Sequence, residues 1–83
     1  MSDDPIFYIT ITYDLPPLVP LRHLQITRGW SKWHTGYNPE TNRYEEGFRG
    51  PRSGLPTAMW KVARYYTRNV RNILITVDGQ DYR

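Results

Sequence analysis

The sequence has 83 residues, 39% of them hydrophobic and 14% aromatic, with a net charge of +3 and no cysteine. That length fits one domain, residues 1–83, whose core is thin and gives little room for a deep catalytic cleft. The lack of cysteine excludes a disulfide framework, a thiolate zinc site and a cysteine nucleophile.

The cations are concentrated in the middle of the chain. Residues 1–20 contain three Asp and no cation, whereas residues 21–72 contain ten Lys or Arg against three Glu. Nine of the eleven cations are Arg, whose planar fork suits phosphate and carboxylate. No apolar run reaches the roughly 18 residues of a membrane span, and the MSDDP start lacks a signal-peptide pattern. We expect a cytoplasmic protein with an anionic partner, no membrane contact and no cofactor.

The first predicted element is a strand at residues 6–14, IFYITITYD, which is rich in β-branched and aromatic residues. Alternate residues share a face, with Phe7, Ile9, Ile11 and Tyr13 on one side. The prolines of LPPLVP end the strand because they remove backbone donors. Residues 18–28 fit either a strand or a short helix.

The polar and aromatic stretch that follows predicts a β-hairpin. Residues 38–42, NPETN, combine turn-forming Asn and Pro with a second Asn that tolerates positive φ. Residues 36–44, GYNPETNRY, resemble the designed mini-hairpin chignolin, and the resemblance implies that Tyr37 faces Tyr44. In that register we expect Trp33 and Phe48 to extend one aromatic face.

A helix is predicted at residues 55–72, followed by a strand at residues 73–77. Apolar residues recur at helical spacing, and Pro56 suits a first turn. The continuous apolar run ILITV is typical of a central strand that is buried on both faces. The predicted fold class is α+β, a small antiparallel sheet of three or four strands with the helix on one face. The alternative is the ferredoxin-like order βαββαβ.

The predicted helix carries cations in one stripe with no carboxylate among them. Like charges at these spacings repel by about 0.2–0.5 kcal/mol per pair, so an uncompensated stripe favours an anionic ligand over a plain solvent face. Two aromatic residues border the stripe and suit stacking on bases or arginine. The candidate binding residues on the helix are Lys61, Arg64, Arg68, Arg71, Trp60 and Tyr65.

A second basic and aromatic set lies in and around the predicted hairpin. Cations interleaved with aromatic rings are typical of proteins that hold single-stranded nucleic acid. Trp30 and Trp33 are three residues apart, so both cannot face inward from a regular strand. These candidate binding residues are Arg28, Trp30, Lys32, Trp33, Arg43, Arg49 and Arg52.

No catalytic or metal-binding motif surrounds His23 or His34, so we expect a non-enzymatic binding protein without a metal site. The alternative is a small basic ribonuclease that works by acid–base chemistry and phosphate clamping. Its candidate residues would be His34, Glu45 or Glu46, Arg64 and Tyr65.

Size, lack of cysteine and lack of a catalytic motif make the chain similar in style to small bacteriophage inhibitor proteins such as anti-CRISPRs. The resemblance implies action in the host cytoplasm on a nucleic-acid-handling or defence complex. The partner would then be nucleic acid or the acidic surface of a host protein. A further alternative is a structural role in which the aromatic residues form a subunit interface.

Overall fold

The computed structural model describes residues 5–22 and 24–79, and it has the predicted α+β fold. Its elements in chain order are β1 (Ile6–Asp14), β2 (Ser31–Asn38), β3 (Arg43–Pro51), a short 3-10 turn (Arg52–Gly54), α1 (Leu55–Asn69) and β4 (Arg71–Gly79). The four strands form one antiparallel sheet in the order β2-β3-β1-β4. The ferredoxin-like alternative βαββαβ is not formed, because the described residues between β1 and β2 contain no helix and the element order is βββαβ.

The predicted strand β1 is confirmed, and the structure shows that it is an inner strand whose alternation sets the two faces of the sheet. Ile9, Ile11 and Tyr13 are almost fully buried on the face that α1 covers. Phe48 of β3, which pairs with Ile9, lies in the same core. The opposite face of the sheet carries Tyr8 and its neighbours at alternate positions and is called here the open face.

The β2–β3 hairpin has the predicted turn and register. The backbone N–H of Glu40 donates to Asn38 Oδ1 at 3.0 Å, and Asn42 has a φ of 58°. Tyr37 pairs with Tyr44, as the chignolin resemblance implies. The expectation for Trp33 and Phe48 is wrong, because a bulge between Lys32 and His34 shifts the register there. Phe48 lies in the core, whereas Trp33 is 49% exposed and packs on Tyr8 of the open face.

α1 begins at the predicted residue and has Pro56 in its first turn, but it ends three residues earlier than predicted. Val70 is extended and Asn72 has a φ of 57°, so the chain turns directly into β4. Sequence periodicity missed this end because Val70 is apolar and lies four residues after Tyr66, which fits the helical pattern although Val70 is extended. Ala58, Val62 and Tyr66 form the buried side of α1.

β4 is an edge strand, which corrects the prediction of a central strand buried on both faces. It pairs with β1 on one side only and is the outer strand of the described sheet. Leu74 is 60% exposed and Val77 is 42% exposed, whereas Ile73 and Ile75 are half-buried. The apolar run was ambiguous because an apolar sequence does not show how many neighbours its strand has.

Residues 18–22 and 24–30, called here the strap, form neither of the predicted alternatives. They run beside α1 from its C-terminal end to its N-terminal end. The backbone N–H of Leu18 donates to Asn69 O at 2.8 Å, and Tyr65 Oη both accepts from the N–H of Arg22 and donates to its carbonyl. Ile26 and Trp30 complete the core. Side-chain and helix-end partners therefore replace a hydrogen-bonded ladder.

A carboxylate lies inside the core. Glu46 is 5% exposed and accepts hydrogen bonds from Tyr13 Oη at 2.7 Å and from Tyr66 Oη. Lys32 Nζ lies 3.4 Å from the same carboxylate. Burial, followed by these hydrogen bonds to an anion, raises the pKa of Tyr13 and of Tyr66 far above their usual range. Both hydroxyls therefore remain donors and hold the charge.

Candidate functional site

Three predicted cations of α1 lie together along a groove between the helix and the strap. Lys61, Arg64 and Arg68 follow one another at spacings of three and four, which places them on one side of α1. The groove has a volume of about 450 Å³ and is lined by these cations with Leu24, Trp60, Tyr65 and Asn69. Trp60 and Tyr65 border the cations as the sequence predicted.

These helix cations have no carboxylate partner among residues 5–22 and 24–79. The ion pairs formed there are Lys32–Glu46, His34–Glu45 and Arg43–Asp14. Arg64 instead lies over the indole of Trp60, with its guanidinium carbon 5.1 Å from the ring centroid. Asp3 and Asp4 lie outside the described residues.

The groove continues toward the N-terminal end of α1. A neighbouring concavity of about 410 Å³ is lined by strap residues and β2, with Arg28 and Lys32 opposite Lys61. Leu24 and Lys61 belong to both concavities. The two therefore form one surface, called here the basic groove, whose cations are Arg28, Lys32, Lys61, Arg64 and Arg68.

Arg71 is not part of this stripe, because α1 ends at Asn69 and Arg71 is the first residue of β4. It pairs across the sheet with Asp14. Arg43 forms an ion pair with Asp14, in which Nη1 lies 2.8 Å from Oδ1. Its guanidinium also donates hydrogen bonds to the Thr12 hydroxyl and to the carbonyl of Asn72. The Asn72 side-chain amide and the Arg43 guanidinium hold the pKa of Asp14 below its usual range. Arg43 therefore stabilises the fold at this site, and Arg71 is exposed opposite Asp14 on the adjoining strand.

Trp30, which the sequence pattern assigned to binding, is a core residue that also lines the concavity containing Arg28 and Lys32. It is 6% exposed, and its indole N–H donates to the carbonyl of Pro51 at 2.9 Å. Its ring lies directly against Gly50 and Gly54. Arg52 is exposed on the 3-10 turn and lines neither concavity of the basic groove.

Trp33 and Arg49 lie on the open face, away from the basic groove. The guanidinium carbon of Arg49 is 5.5 Å from the centre of the Trp33 ring. Tyr8, which the sequence reasoning did not select, meets Trp33 edge-on at a centroid distance of 5.3 Å. The alternation of β1 placed Tyr8 opposite the predicted core face and was the available signal. Leu24 and Asn69 of the groove had no comparable signal.

The residues of the ribonuclease alternative do not lie at one site. His34 Nε2 is 2.7 Å from Glu45 Oε2 on the open face, whereas Glu46 points into the core. Arg64 and Tyr65 lie on α1, on the other side of the sheet. Within the described part of the chain, no group of three His, Asp or Glu side chains is arranged to hold a metal ion. His23 lies outside the described residues.

Residues 5–22 and 24–79 contain no helix long and apolar enough to cross a membrane. A scan against protein-family models, a search of curated proteins and a search of solved structures each found no match to this chain.

Proposed function

We propose that the protein is a non-enzymatic binding protein that holds nucleic acid through its basic groove. The observation that carries this proposal is the alignment of Lys61, Arg64 and Arg68 with two aromatic rings in a groove where no described carboxylate neutralises them. Cations attract phosphates, and the rings offer surfaces on which bases stack.

The cations of the groove are also placed to act together. Arg64 is ordered against Trp60 and Tyr65 is anchored to the strap, so two groups that would contact a ligand lose little freedom on binding. Lys61 belongs to both concavities and links the helix cations to Arg28 and Lys32. A chain of phosphates therefore suits the groove better than a single small anion.

Fluorescence anisotropy with labelled oligonucleotides across a salt series tests the proposal. We expect the logarithm of the association constant to fall linearly with the logarithm of salt concentration. The slope should correspond to several phosphate contacts. Arg64→Glu and Arg68→Glu should each weaken binding at least tenfold, since each replaces attraction by repulsion. Arg52→Glu makes the same change in net charge outside the groove and is the matched control.

Equal effects of Arg52→Glu and Arg64→Glu would show that overall charge, and not the groove, governs binding. No binding of any oligonucleotide at low salt would contradict the proposal and favour the acidic surface of a protein as the partner. The broader hypothesis of a phage inhibitor of a host complex stays a prediction. It requires the protein to compete with nucleic acid for such a complex.

A second candidate function is self-association, which the edge strand β4 favours. Leu74 and Val77 are exposed on this outer strand, and unpaired strand edges readily join other strands. Sedimentation velocity tests it: a dimer at low micromolar concentration that persists at high salt and is lost in Leu74→Lys would support this function. A monomer under those conditions would exclude it.

A further inference from the structure

A second aromatic and cationic surface lies on the open face of the sheet. Trp33 and Tyr8 contact each other edge-on, and Arg49 lies over the Trp33 ring. Trp33 is 49% exposed and Arg49 is exposed, on the face of the sheet that α1 does not cover. Together, Tyr8, Trp33 and Arg49 form what we call the aromatic platform.

The aromatic platform and the basic groove meet at the start of β2. A concavity of about 370 Å³ beside the platform is lined by Tyr8, Arg49 and Ser31, with Ile6, Gly29 and Gly50. Ser31 also lines the groove concavity that contains Arg28 and Lys32. The path from the groove to the platform therefore passes Ser31, around the end of the sheet near the buried Trp30.

The geometry of this path selects among nucleic acids. The aromatic platform lies on the open face of the sheet, whereas α1 covers the other face. The principal extents of the molecule are 43 × 24 × 16 Å, so the body between the two surfaces is thin. Double-stranded DNA has a persistence length of about 50 nm, so turning it around an edge on this scale carries a deformation cost that a flexible single strand largely avoids. The cations of α1 also line a groove beside the strap and do not project as a free helix suited to a major groove.

We propose that the ligand is a single-stranded nucleic acid that runs along the basic groove, turns at Ser31 and stacks a base at the aromatic platform. This inference rests on the proposed function and deepens it by naming the type of strand. Arg49 contacts the phosphate beside the stacked base. Base stacking on exposed rings combined with a basic path is how single strands are held without sequence preference.

Acidic residues limit the footprint on the open face. Glu45 pairs with His34 further along the hairpin. Asp78 in β4 lies opposite Tyr8 and is itself engaged in an interaction. Phosphates are therefore favoured at the Arg49 end and disfavoured toward Glu45 and β4. The platform then accommodates one or two bases rather than a strand that crosses the whole sheet.

The test compares a labelled single strand of about 16 nucleotides, the upper end of known site sizes, with a duplex of the same length. Anisotropy is measured for the wild-type protein and for Trp33→Ala, Arg49→Glu, Arg64→Glu and Tyr37→Ala. Tyr37 is 51% exposed on the same hairpin and lies outside both surfaces, so Tyr37→Ala is the matched aromatic control. Circular dichroism confirms that each variant is folded.

We expect the single strand to bind at least tenfold more tightly than the duplex. Trp33→Ala should weaken single-strand binding roughly 5- to 150-fold, the effect of losing about 1–3 kcal/mol of stacking. Trp33→Ala should leave duplex binding unchanged. Tyr37→Ala should change the binding of neither the single strand nor the duplex. Arg49→Glu provides a second reading if Trp33→Ala does not fold, and it should also weaken only single-strand binding.

The outcomes separate this inference from the proposed function. If Arg64→Glu weakens binding while the platform variants do not, the groove binds nucleic acid and the platform inference is overturned. Equal affinity for duplex and single strand overturns it as well. Failure of every oligonucleotide to bind overturns the proposed function together with the inference.

Discussion

Tyr66 of α1 donates a hydrogen bond to the buried carboxylate of Glu46 in β3, and this contact fixes the helix on the sheet. Tyr13 of β1 donates to the same carboxylate, so one anion joins three elements. Hydrogen bonds to charged groups in a dry site contribute more than neutral ones, and their loss leaves the charge poorly solvated. This connection adds to the apolar packing of Ala58 and Val62 in holding α1 against the sheet.

Tyr66→Phe should therefore lower the free energy of unfolding by about 1.5–3 kcal/mol, because it removes one donor from a buried charge. Urea unfolding followed by circular dichroism measures it. Tyr37→Phe is the matched control: its hydroxyl donates to Asn42 in an exposed bond, and surface changes of this kind stay within about 0.5 kcal/mol. Equal losses in the two variants would contradict the role assigned to Glu46.

Trp30→Ala and Trp33→Ala should differ strongly in stability. Trp30 is buried among core residues and its removal should cost about 3–5 kcal/mol, enough to unfold a marginal domain of this size. Trp33 is half exposed, so Trp33→Ala should cost much less. Thermal unfolding of both variants measures the difference. A larger loss of stability in Trp33→Ala than in Trp30→Ala would mean that Trp33, and not Trp30, lies in the core.

Gly50→Ala should destabilise the protein by about 1–3 kcal/mol through overpacking. A Cβ at Gly50 would lie 2.5 Å from Cδ1 of Trp30 and closer still to two other ring carbons. Gly36→Ala is the control on the neighbouring strand, because its Cβ would meet His34 no closer than 3.7 Å. There, alanine should be neutral or slightly stabilising, since glycine is unfavourable in strands. Chemical denaturation of both variants checks the prediction, and similar losses would count against it.

Asp14 should make the protein sensitive to acid. Its pKa is lowered in the folded state by the Asn72 amide and the Arg43 guanidinium, so the ionised form stabilises the native state. That stabilisation is complete above the unfolded-state pKa, about 3.9 for Asp. It is lost as pH falls through the lower folded-state pKa.

Asp14→Asn should accordingly be less stable than the wild type at neutral pH and should lose less stability below about pH 4. Denaturant unfolding at a series of pH values measures both effects. Glu40→Gln removes an exposed carboxylate from the hairpin turn and should keep the wild-type acid response. If Asp14→Asn kept the pH dependence of the wild type, the charge of Asp14 would not stabilise the contact of β1 with β3 and β4.

Several elements could be predicted because local patterns were strong. The alternation of residues 6–14 predicted β1 and its core face, and turn chemistry at residues 38–42 predicted the hairpin and the Tyr37–Tyr44 pair. The apolar spacing after residue 55 predicted where α1 begins and which side it buries. These signals depend only on near neighbours in the chain, so they survive without knowledge of the tertiary structure.

The candidate site was predicted only in part. Lys61, Arg64, Arg68, Trp60 and Tyr65 lie together as the helix pattern required. The sequence did not separate Trp30 from Trp33, because a bulge decides which indole faces the core. It also assigned Arg43 and Arg71 to binding, although Asp14, more than 25 positions away in the chain, is their partner across the sheet.

Local periods and turn residues were enough to predict the α+β class, the strand at residues 6–14, the hairpin and the basic side of the helix. Other features appear only in the folded chain: β4 is an edge strand, the strap forms one wall of the basic groove, and Glu46 is buried with Tyr13 and Tyr66. Those features depend on contacts between residues distant in sequence, and side-chain type alone does not specify which distant partners meet.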